Sequence, residues 1–154
     1  MAVMEKLPEI ERKYLEDLPC PAFDSTPWVT GSPLNQRRVA IISTAGLHRP
    51  EDRPFTFDPG DYYRIIPSDI KATELVMSHV STNFDRSGYK QDWNILFPLD
   101  RLNELCEQKV IGSVAEYHYS FMGAHDPEPM KPSAKDVAVL LKQDNVDALL
   151  LVPV

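Results

Sequence analysis

The amino-acid sequence predicts a three-layer α/β fold with a mostly parallel, flavodoxin/Rossmann-like sheet. The runs at 38–43 (RVAIIS) and 148–152 (ALLLV) are almost entirely apolar, which is typical of parallel strands buried on both faces. Amphipathic helices are predicted between such strands, as crossover connections require. The predicted strands are few, and so small a parallel sheet would have an exposed edge. We therefore expect the domain to be one half of a larger protein.

Residues 1–35 are predicted to form an N-terminal helix and a Pro-rich arm, and residues 36–154 to form the α/β domain. In segment 5–17, Leu7, Ile10, Tyr14 and Leu15 form an apolar stripe at helical spacing. A helix this short is marginal alone, so we expect it to pack on the domain or on a partner. Segment 19–33 is rich in proline and is predicted to be extended.

The elements of the α/β domain are predicted in the order strand, loop, strand, strand, helix, strand, helix, strand. The predicted strands are 38–43, 62–66, 75–78, 111–115 (ending near His118) and 148–152. Asp100 is expected to cap the first helix. Ser133 and Asp136 are expected to form a capping box at the start of the second helix, which Asn145 ends.

Composition and charge exclude several classes of protein. The chain has 154 residues, of which 43% are hydrophobic and 25% charged, as in a globular domain. A net charge of −7 argues against a general affinity for nucleic acid or anionic membranes. No apolar run is long enough to span a bilayer and the charged N-terminus is unlike a signal peptide, so we expect a cytoplasmic protein. Cys20 and Cys106 form no CxxC or metal-ligand pattern and are predicted to be idle reduced thiols.

Three of the four histidines are predicted to meet at one edge of the sheet. His48, His79 and His118 each follow a predicted strand, and open α/β sheets bind ligands at the carboxyl ends of their strands. Acid–base chemistry or substrate binding is the first interpretation, because imidazole titrates near neutral pH. Three convergent imidazoles would alternatively suit a zinc site, but no local metal-binding motif is present and no residue is assigned as a metal ligand. The fourth histidine, His125, falls in a turn-rich loop.

The segment SHVSTNFDRSG (78–88) concentrates hydrogen-bonding groups directly after an apolar run. Arg86 is a candidate clamp for a substrate carboxylate, and Asp85 is a candidate for orienting a histidine or binding an amine. The alternative is a surface turn whose polar side chains cap local backbone groups. Near the first strand, residues 43–46 (STAG) are candidates for presenting backbone N–H groups to an anion, because glycine permits a close approach.

The order of several sequence blocks resembles a known family. The blocks are RRVAIISTAGLHRPEDRPF, GDYYRIIPSDI, LVMSHVSTNFDRSGYKQDWNILFPLDRL, VIGSVAEYHYSFMGA and DALLLVPV. Together they resemble the selenoprotein B family of the glycine, sarcosine and betaine reductases, to which the D-proline reductase selenoprotein is related. The likeness covers roughly residues 36–154, and SHVSTNFDRSG and HYSFMGA are its most specific blocks.

The resemblance implies a subunit or N-terminal fragment of a cytoplasmic reductase that cleaves a C–N bond of a small amino acid or its N-methylated derivative. In the family the redox centre is a selenocysteine or cysteine that lies beyond the segment resembling DALLLVPV. Neither Cys20 nor Cys106 lies where the resemblance places this residue, so we expect it beyond residue 154. A partner subunit with a pyruvoyl group and a thioredoxin-type electron donor are expected as well. An oligomer containing the C-terminal half or a partner reductase subunit is expected.

Within this reductase hypothesis, the residues singled out above take specific roles. His79, His118 and Asp85 are the predicted catalytic or orienting groups. The predicted substrate-binding residues are Ser43, Thr44, Gly46, His48, Ser81, Thr82, Arg86 and Ser87. Two other functions stay open: a non-catalytic partner-binding or assembly subunit, and a metal-dependent hydrolase that uses His48, His79 and His118.

Overall fold

A computed structural model describes most of the chain. The described residues are 4–17, 24–26, 28–56, 58, 60, 62–81, 84, 86–123 and 126–154, with the side chain of Tyr14 left aside. Four residues discussed above lie outside the described residues: Cys20, Thr82, Asp85 and His125.

The chain divides into two compact units, residues 1–30 and residues 31–154. The first unit contains a 3₁₀ turn, Met4–Lys6, and helix α1, Glu9–Glu16. This agrees with the predicted N-terminal helix. Pro8 precedes the first helical residue, and Glu9 and Glu11 lie in the first turn, where carboxylates interact favourably with the helix dipole.

The second unit contains the strands. These are β1 (Arg38–Ser43), β2 (Leu47–His48), β3 (Tyr63–Pro67), β4 (Val76–Met77), β5 (Ser113–Val114), β6 (Tyr117–Phe121) and β7 (Ala148–Val152). The main sheet has the order β3–β6–β1, and β7 pairs with the other edge of β1. β1 is parallel to β5, β6 and β7, whereas β3 is antiparallel to β6. The α/β class is therefore confirmed and the sheet is mixed.

The predicted third strand does not belong to the main sheet. β4 pairs with β2 in a separate two-stranded antiparallel ladder, in which Leu47 faces Met77 and His48 faces Val76. The sequence showed an apolar run there but not its partner, because partner choice depends on contacts between distant parts of the chain.

The edge of β1 shared by β5 and β6 contains a bulge. Arg38 pairs with Ser113 and Ile42 pairs with Tyr119, so four steps along β1 correspond to six along β5 and β6. The extra residues lie around His118, which belongs to β6 and does not follow a strand end as predicted. A bulge of this kind breaks the ladder and reorients the local side chains.

Three further helices lie in the second unit: α2 (Ser87–Gln91), α3 (Leu99–Glu107) and α4 (Lys131–Gln143). The predicted caps were wrong. Pro98 is the N-cap of α3, and Asp100 instead accepts hydrogen bonds from the Trp93 indole and the Asn94 amide. α4 begins two residues before Ser133, and Asn145, with φ of +55°, follows its end as expected.

Alternate residues of β1 enter two different cores. Val39 and Ile41 pack with Leu99 and Leu102 of α3. Ala40 packs with Val137 and Leu141 of α4, in the core that also holds Tyr119 and Phe121 of β6. Because successive strand residues point to opposite faces, α3 and α4 cover opposite faces of the sheet. Cys106 is half-buried and packs against the α3 core, as predicted.

No helix among the described residues is long and apolar enough to cross a membrane.

Candidate functional site

The buried polar side chains of the described residues belong to one part of the fold. They are Ser43, His48, His79, His118 and Ser120. Four of these five were predicted as site residues from the sequence. Buried polar groups are costly unless they are hydrogen-bonded, so their partners define what the site can do.

His118 is fully buried and takes the place of a backbone acceptor in the sheet. Its Nδ1 accepts a hydrogen bond from the Ile41 N–H at 2.9 Å, at the point where the bulge interrupts the ladder. Its ring meets Phe97 edge-on, with the ring centroids 5.6 Å apart. The Nε2 atom is buried and has no hydrogen-bond partner among the described residues. Burial lowers the pKa of His118 to about 4, so the ring is neutral at neutral pH.

Asp144, just after α4, supports the bulge that carries His118. One carboxylate oxygen accepts from the backbone N–H of Glu116 at 2.7 Å and of Tyr117 at 3.1 Å. The other oxygen pairs with the Arg38 guanidinium, whose Nε lies 3.1 Å away. Burial alone would raise the pKa of Asp144, but these hydrogen bonds and the charge of Arg38 lower it. Asp144 was not recognised from the sequence, since nothing local links it to a strand 27 residues away.

Ser43 and Ser120 lie side by side across the parallel pair of β1 and β6. Ser43 Oγ accepts from the Ala45 N–H at 3.3 Å, and Ser120 Oγ accepts from the Leu47 N–H at 2.7 Å. Ser120 was missed as a site residue, although its position two residues after His118 places both side chains on the same sheet face. The alternation of a strand contained this signal.

His79 is 7% exposed and organises the loop after β4. Its Nδ1 accepts from the Ser81 N–H at 3.2 Å, and its ring stacks on Phe84 with centroids 4.6 Å apart. Nε2 is buried and, within the described part of the chain, has no hydrogen-bond partner, as in His118. Burial and, to a smaller extent, the charge of Arg86 lower the pKa of His79.

Arg86 is engaged with its own loop. Its Nη2 donates to the carbonyl oxygen of His79 at 2.6 Å and of Ser81 at 3.3 Å, and Nη1 lies 3.5 Å from the Phe84 carbonyl oxygen. These bonds make Arg86 the organiser of the loop in this structure. Its predicted role as a clamp for a substrate carboxylate stays a prediction.

Both ring nitrogens of His48 have partners. Nδ1 lies 2.7 Å from the carbonyl oxygen of Arg49, and Nε2 lies 2.7 Å from the hydroxyl oxygen of Ser78. Within the part of the chain that the structure describes, no three His, Cys, Asp or Glu residues are grouped closely enough to hold a metal ion. Since His48, His79 and His118 are all described, the three-histidine metal site considered from the sequence is not formed.

The other predicted site residues lie around this cluster or apart from it. Gly46 has φ of +65°, and a Cβ there would lie 3.1 Å from the backbone nitrogen of His79. The absence of a side chain at Gly46 therefore lets the loop of His79 pack closely against it. Thr44 lies beside β7, where its Oγ1 accepts from the Val154 N–H at 2.8 Å. Ser87 is exposed at the first position of α2.

Two clefts are lined by other residues. One of about 730 Å³ is lined by Arg38, Ile65, Glu116, Tyr117, Tyr119, Leu140, Gln143, Asp144 and Asn145. A second of about 480 Å³ is lined by Arg49, Pro50, Glu51, Pro67, Asp69, Ile70, Lys71, Thr73 and Glu74. Asp144 lines the first cleft, which therefore lies next to the bulge of His118 on the α4 face of the sheet.

A comparison with protein families identifies the chain. The model described as glycine/sarcosine/betaine reductase selenoprotein B matches residues 2–154. The chain belongs to this family. The resemblance inferred from the sequence blocks is therefore confirmed, and the buried histidine cluster is a feature of a selenoprotein B family member.

Curated relatives are subunits of multi-component reductases. The chain is 30% identical over 121 residues to D-proline reductase subunit gamma of Acetoanaerobium sticklandii, covering 77% of this chain and 49% of the relative. It is 28% identical over 145 residues to betaine reductase complex component B subunit beta of Peptoclostridium acidaminophilum, covering 90% of this chain and 33% of the relative. It is 26% identical over 148 residues to glycine reductase complex component B subunit gamma of Symbiobacterium thermophilum, again covering 90% and 33%.

The chain thus spans about half the length of one relative and a third of the other two. No solved structure matches it significantly.

Proposed function

We propose that this chain is a subunit or N-terminal segment of an amino-acid reductase that cleaves a C–N bond of a small amino acid or its N-methylated derivative. The observation that carries the proposal is the match of the selenoprotein B family model to nearly the whole chain. Relatives named for D-proline, betaine and glycine support a substrate with a carboxylate and an amine nitrogen. A cytoplasmic location fits such chemistry, because reduced thiols and selenols persist in a reducing compartment.

The redox step in this proposal needs a residue that comes from elsewhere. A selenolate or thiolate, from a segment following residue 154 or from a partner subunit, attacks the substrate carbon. A C–Se or C–S bond forms as the C–N bond breaks, and the amine leaves with the bonding electrons and takes up a proton. One thiol of a thioredoxin-type dithiol then attacks the selenium or sulfur, the C–Se or C–S bond breaks, and the released carbon takes up a proton. The second thiol attacks the first, which leaves the dithiol as a disulfide and restores the selenolate or thiolate. A pyruvoyl group on a partner subunit is the proposed activator of the amine.

The three-layer, mostly parallel architecture is also part of the proposal for the whole protein. Helices already lie on both faces of the sheet, while the outer edge of β7 pairs with no described strand. The additional length of the relatives is sufficient to supply further strands and helices. A strand added at β7 would extend the parallel sheet beside Thr44 and Val152.

The experiment is turnover by the assembled reductase with the chain in its native gene context. Glycine, sarcosine, betaine and D-proline are supplied with a dithiol donor, and the products are measured: free ammonia or amine from the first three, and the ring-opened amino acid from D-proline. Product from one of them is expected, and its absence with all four would reject the reaction. His79→Ala and Arg86→Ala are expected to reduce turnover or substrate affinity. If both parameters are unchanged, neither side chain acts at the site.

The reading frame after Val154 tests the source of the nucleophile. A cysteine codon or an in-frame TGA within the next few codons is expected. If neither occurs there, alkylation of the assembled enzyme with labelled iodoacetamide becomes the test, and it identifies the nucleophile in a later segment or in a partner subunit.

A second function, assembly with another polypeptide, is favoured by the surface of β7. Leu149, Leu150 and Leu151 are 45%, 37% and 64% exposed. Exposed apolar residues on an unpaired strand edge are typical of a surface that another chain covers. Leu151→Lys is expected to weaken co-purification with the partner reductase subunit, whereas Leu34→Lys, at a residue 53% exposed in a 3₁₀ turn, should leave it intact. Size-exclusion chromatography with light scattering would contradict assembly if the wild-type chain and its partners eluted separately.

A further inference from the structure

Four of the buried polar side chains share one pattern of hydrogen bonding. His118 accepts from the Ile41 N–H, His79 from the Ser81 N–H, Ser43 from the Ala45 N–H and Ser120 from the Leu47 N–H. In each case the backbone is the donor and the side chain is the acceptor. The acceptor capacity of these groups is therefore used to hold the local backbone.

This pattern fixes where the hydrogen atoms are. A neutral imidazole whose Nδ1 accepts a hydrogen bond carries its proton on Nε2. His79 and His118 are thus both in the Nε2–H form, and both Nε2 atoms are buried with no hydrogen-bond partner in the part of the chain that the structure describes. A serine hydroxyl that accepts one hydrogen bond still has an O–H to donate. All four side chains consequently retain a hydrogen atom that they can donate.

Strand register and one close backbone approach relate the positions of the four side chains. Ser43 is the register partner of Ser120, and His118 lies two residues before Ser120 on the same face of β6. Gly46 allows the loop of His79 to lie close to the end of β1. A Cβ at position 46 would be only 3.1 Å from the backbone nitrogen of His79. The Ser78 N–H donates to the Gly46 carbonyl oxygen at 3.0 Å and holds this approach.

We propose that the Nε2–H groups of His79 and His118 and the hydroxyls of Ser43 and Ser120 form a donor-only subsite for the carboxylate of a small ligand. A carboxylate offers about four lone-pair positions and only accepts hydrogen bonds, so it complements such a set. Preorganised neutral donors stabilise oxygen anions in buried sites, as in oxyanion holes. A neutral imidazole can act in the same way, as a donor to a substrate oxygen without transferring a proton.

This inference rests on the proposed function and gives it a more specific substrate site. It assigns carboxylate binding to the histidines and serines, because the Arg86 guanidinium is bonded to carbonyl oxygens of its own loop. It also changes the expected role of the histidines. They bind and orient the ligand as hydrogen-bond donors, and neither serves as a general base through Nε2 near neutral pH.

The test uses the full protein labelled with ¹⁵N-histidine, in which the chain contributes four histidines. Long-range ¹H–¹⁵N spectra identify the protonated nitrogen of each ring. We expect His79 and His118 to be protonated on Nε2. Sodium acetate should then move these two Nε2 signals, while sodium chloride at equal ionic strength should not. Methylamine, which lacks a carboxylate, should also have no effect.

Conservative variants separate ligand binding from support of the fold. In His79→Asn and His118→Asn, the amide oxygen can still accept the backbone hydrogen bond, but the Nε2–H donor is lost. Each variant should keep the thermal midpoint of the wild type within a few degrees and require at least about tenfold more acetate for the same response, as loss of one hydrogen bond to a charged group predicts. Tyr117→Phe, on the opposite face of β6, is the matched control and should keep the wild-type response.

Several results would overturn the subsite. The subsite would be rejected by protonation of either ring on Nδ1, or by an imidazolium at neutral pH. It would also be rejected if the Nε2 signals did not change on addition of acetate, which would indicate that these donors bind only buried water. If a variant fails to fold, the tautomer and the acetate response of the wild type still decide the question. A protein that responds to acetate but supports no turnover in the assembled enzyme would retain the subsite and lose the reductase proposal, so the two failures are distinguishable.

Discussion

The backbone N–H of Ile41 is bonded to Nδ1 of His118 at 2.9 Å, in the middle of a parallel ladder. On either side of Ile41, this edge of β1 pairs with backbone: Arg38 and Val39 pair with β5, and Ile42 and Ser43 pair with β6. A titratable side chain is therefore built into the hydrogen bonding of the central strand. This hydrogen bond satisfies the buried Ile41 N–H, which the bulge between β5 and β6 leaves without a backbone acceptor. It also fixes the tautomer of the His118 ring, because Nδ1 has to be the acceptor.

Replacing His118 should destabilise the fold most when the Ile41 N–H is left without an acceptor. His118→Ala leaves this buried donor without a partner and creates a cavity, so we expect a loss of about 2–5 kcal/mol in the free energy of unfolding. His118→Asn keeps an acceptor and should lose clearly less. Urea denaturation of both variants provides the comparison. Equal losses would mean that the bond contributes little to stability.

Stability should decrease between pH 6.5 and about pH 4. The pKa of His118 is about 4 in the fold and near 6.5 when the chain is unfolded, so the unfolded state binds more protons in this range. The contribution of His118 to the free energy of unfolding is fully present above pH 6.5. It decreases by roughly 3 kcal/mol as the pH falls to about 4. His79, whose pKa is also lowered, adds a loss in the same direction.

The variant His118→Asn tests the origin of this pH dependence. Its free energy of unfolding, measured by urea titration at half-unit pH steps, should vary less between pH 6.5 and 4. The variant should still lose unfolding free energy below pH 3.8, as the wild type does. Asp144 has a lowered pKa and keeps its ion pair with Arg38 in the variant, so its protonation destabilises both proteins. An unchanged profile between pH 6.5 and 4 would assign the dependence to other groups.

Gly46→Ala should be more damaging than Gly60→Ala. Both glycines have positive φ, +65° and +93°, and an alanine pays about 1 kcal/mol for that conformation. At Gly46 the new Cβ would also lie 3.1 Å from the His79 nitrogen and 3.3 Å from the Met122 sulfur, whereas at Gly60 nothing lies within 4 Å. Overpacking should add about 1–3 kcal/mol at Gly46 only.

Thermal unfolding gives the first measure of this difference, and the ¹⁵N signals of His79 give the second. Gly46→Ala should shift the His79 signals and Gly60→Ala should leave them in place. Similar thermal midpoints for the two variants would show that the loop yields without cost.

Asp144→Asn should disturb the His118 bulge. The carboxylate bonds Arg38 and two backbone N–H groups, and an amide offers a single oxygen, so we expect a loss of about 1–3 kcal/mol in unfolding free energy. Asp52→Asn is a control, since Asp52 pairs with a more exposed guanidinium, that of Arg49, and should cost less. The His118 ¹⁵N signals should move in Asp144→Asn and not in Asp52→Asn; the reverse order would contradict the role of Asp144.

The sequence determined the elements whose identity depends on local pattern. The apolar runs that became β1 and β7 and the amphipathic stripes that became α3 and α4 were predicted close to their observed positions, because burial imposes a period of two or 3.6 on neighbouring residues. The polar block after β4 and the three histidines were also recognisable, since such residue types rarely gather next to apolar runs without a reason.

Only the tertiary structure decided how these elements meet. The antiparallel pairing of β3, the separate β2–β4 ladder and the bulge at His118 depend on residues far apart in the chain, so no local period reveals them. Asp144 supports the bulge, Ser120 lies beside Ser43, and the two backbone N–H groups of Ile41 and Ser81 select the Nε2–H form of the histidines. The sequence by itself predicted histidines at a site. The fold determined that His79 and His118 would be buried with Nδ1 as the acceptor and Nε2–H as the donor, because the position of the surrounding backbone N–H groups decides which nitrogen accepts.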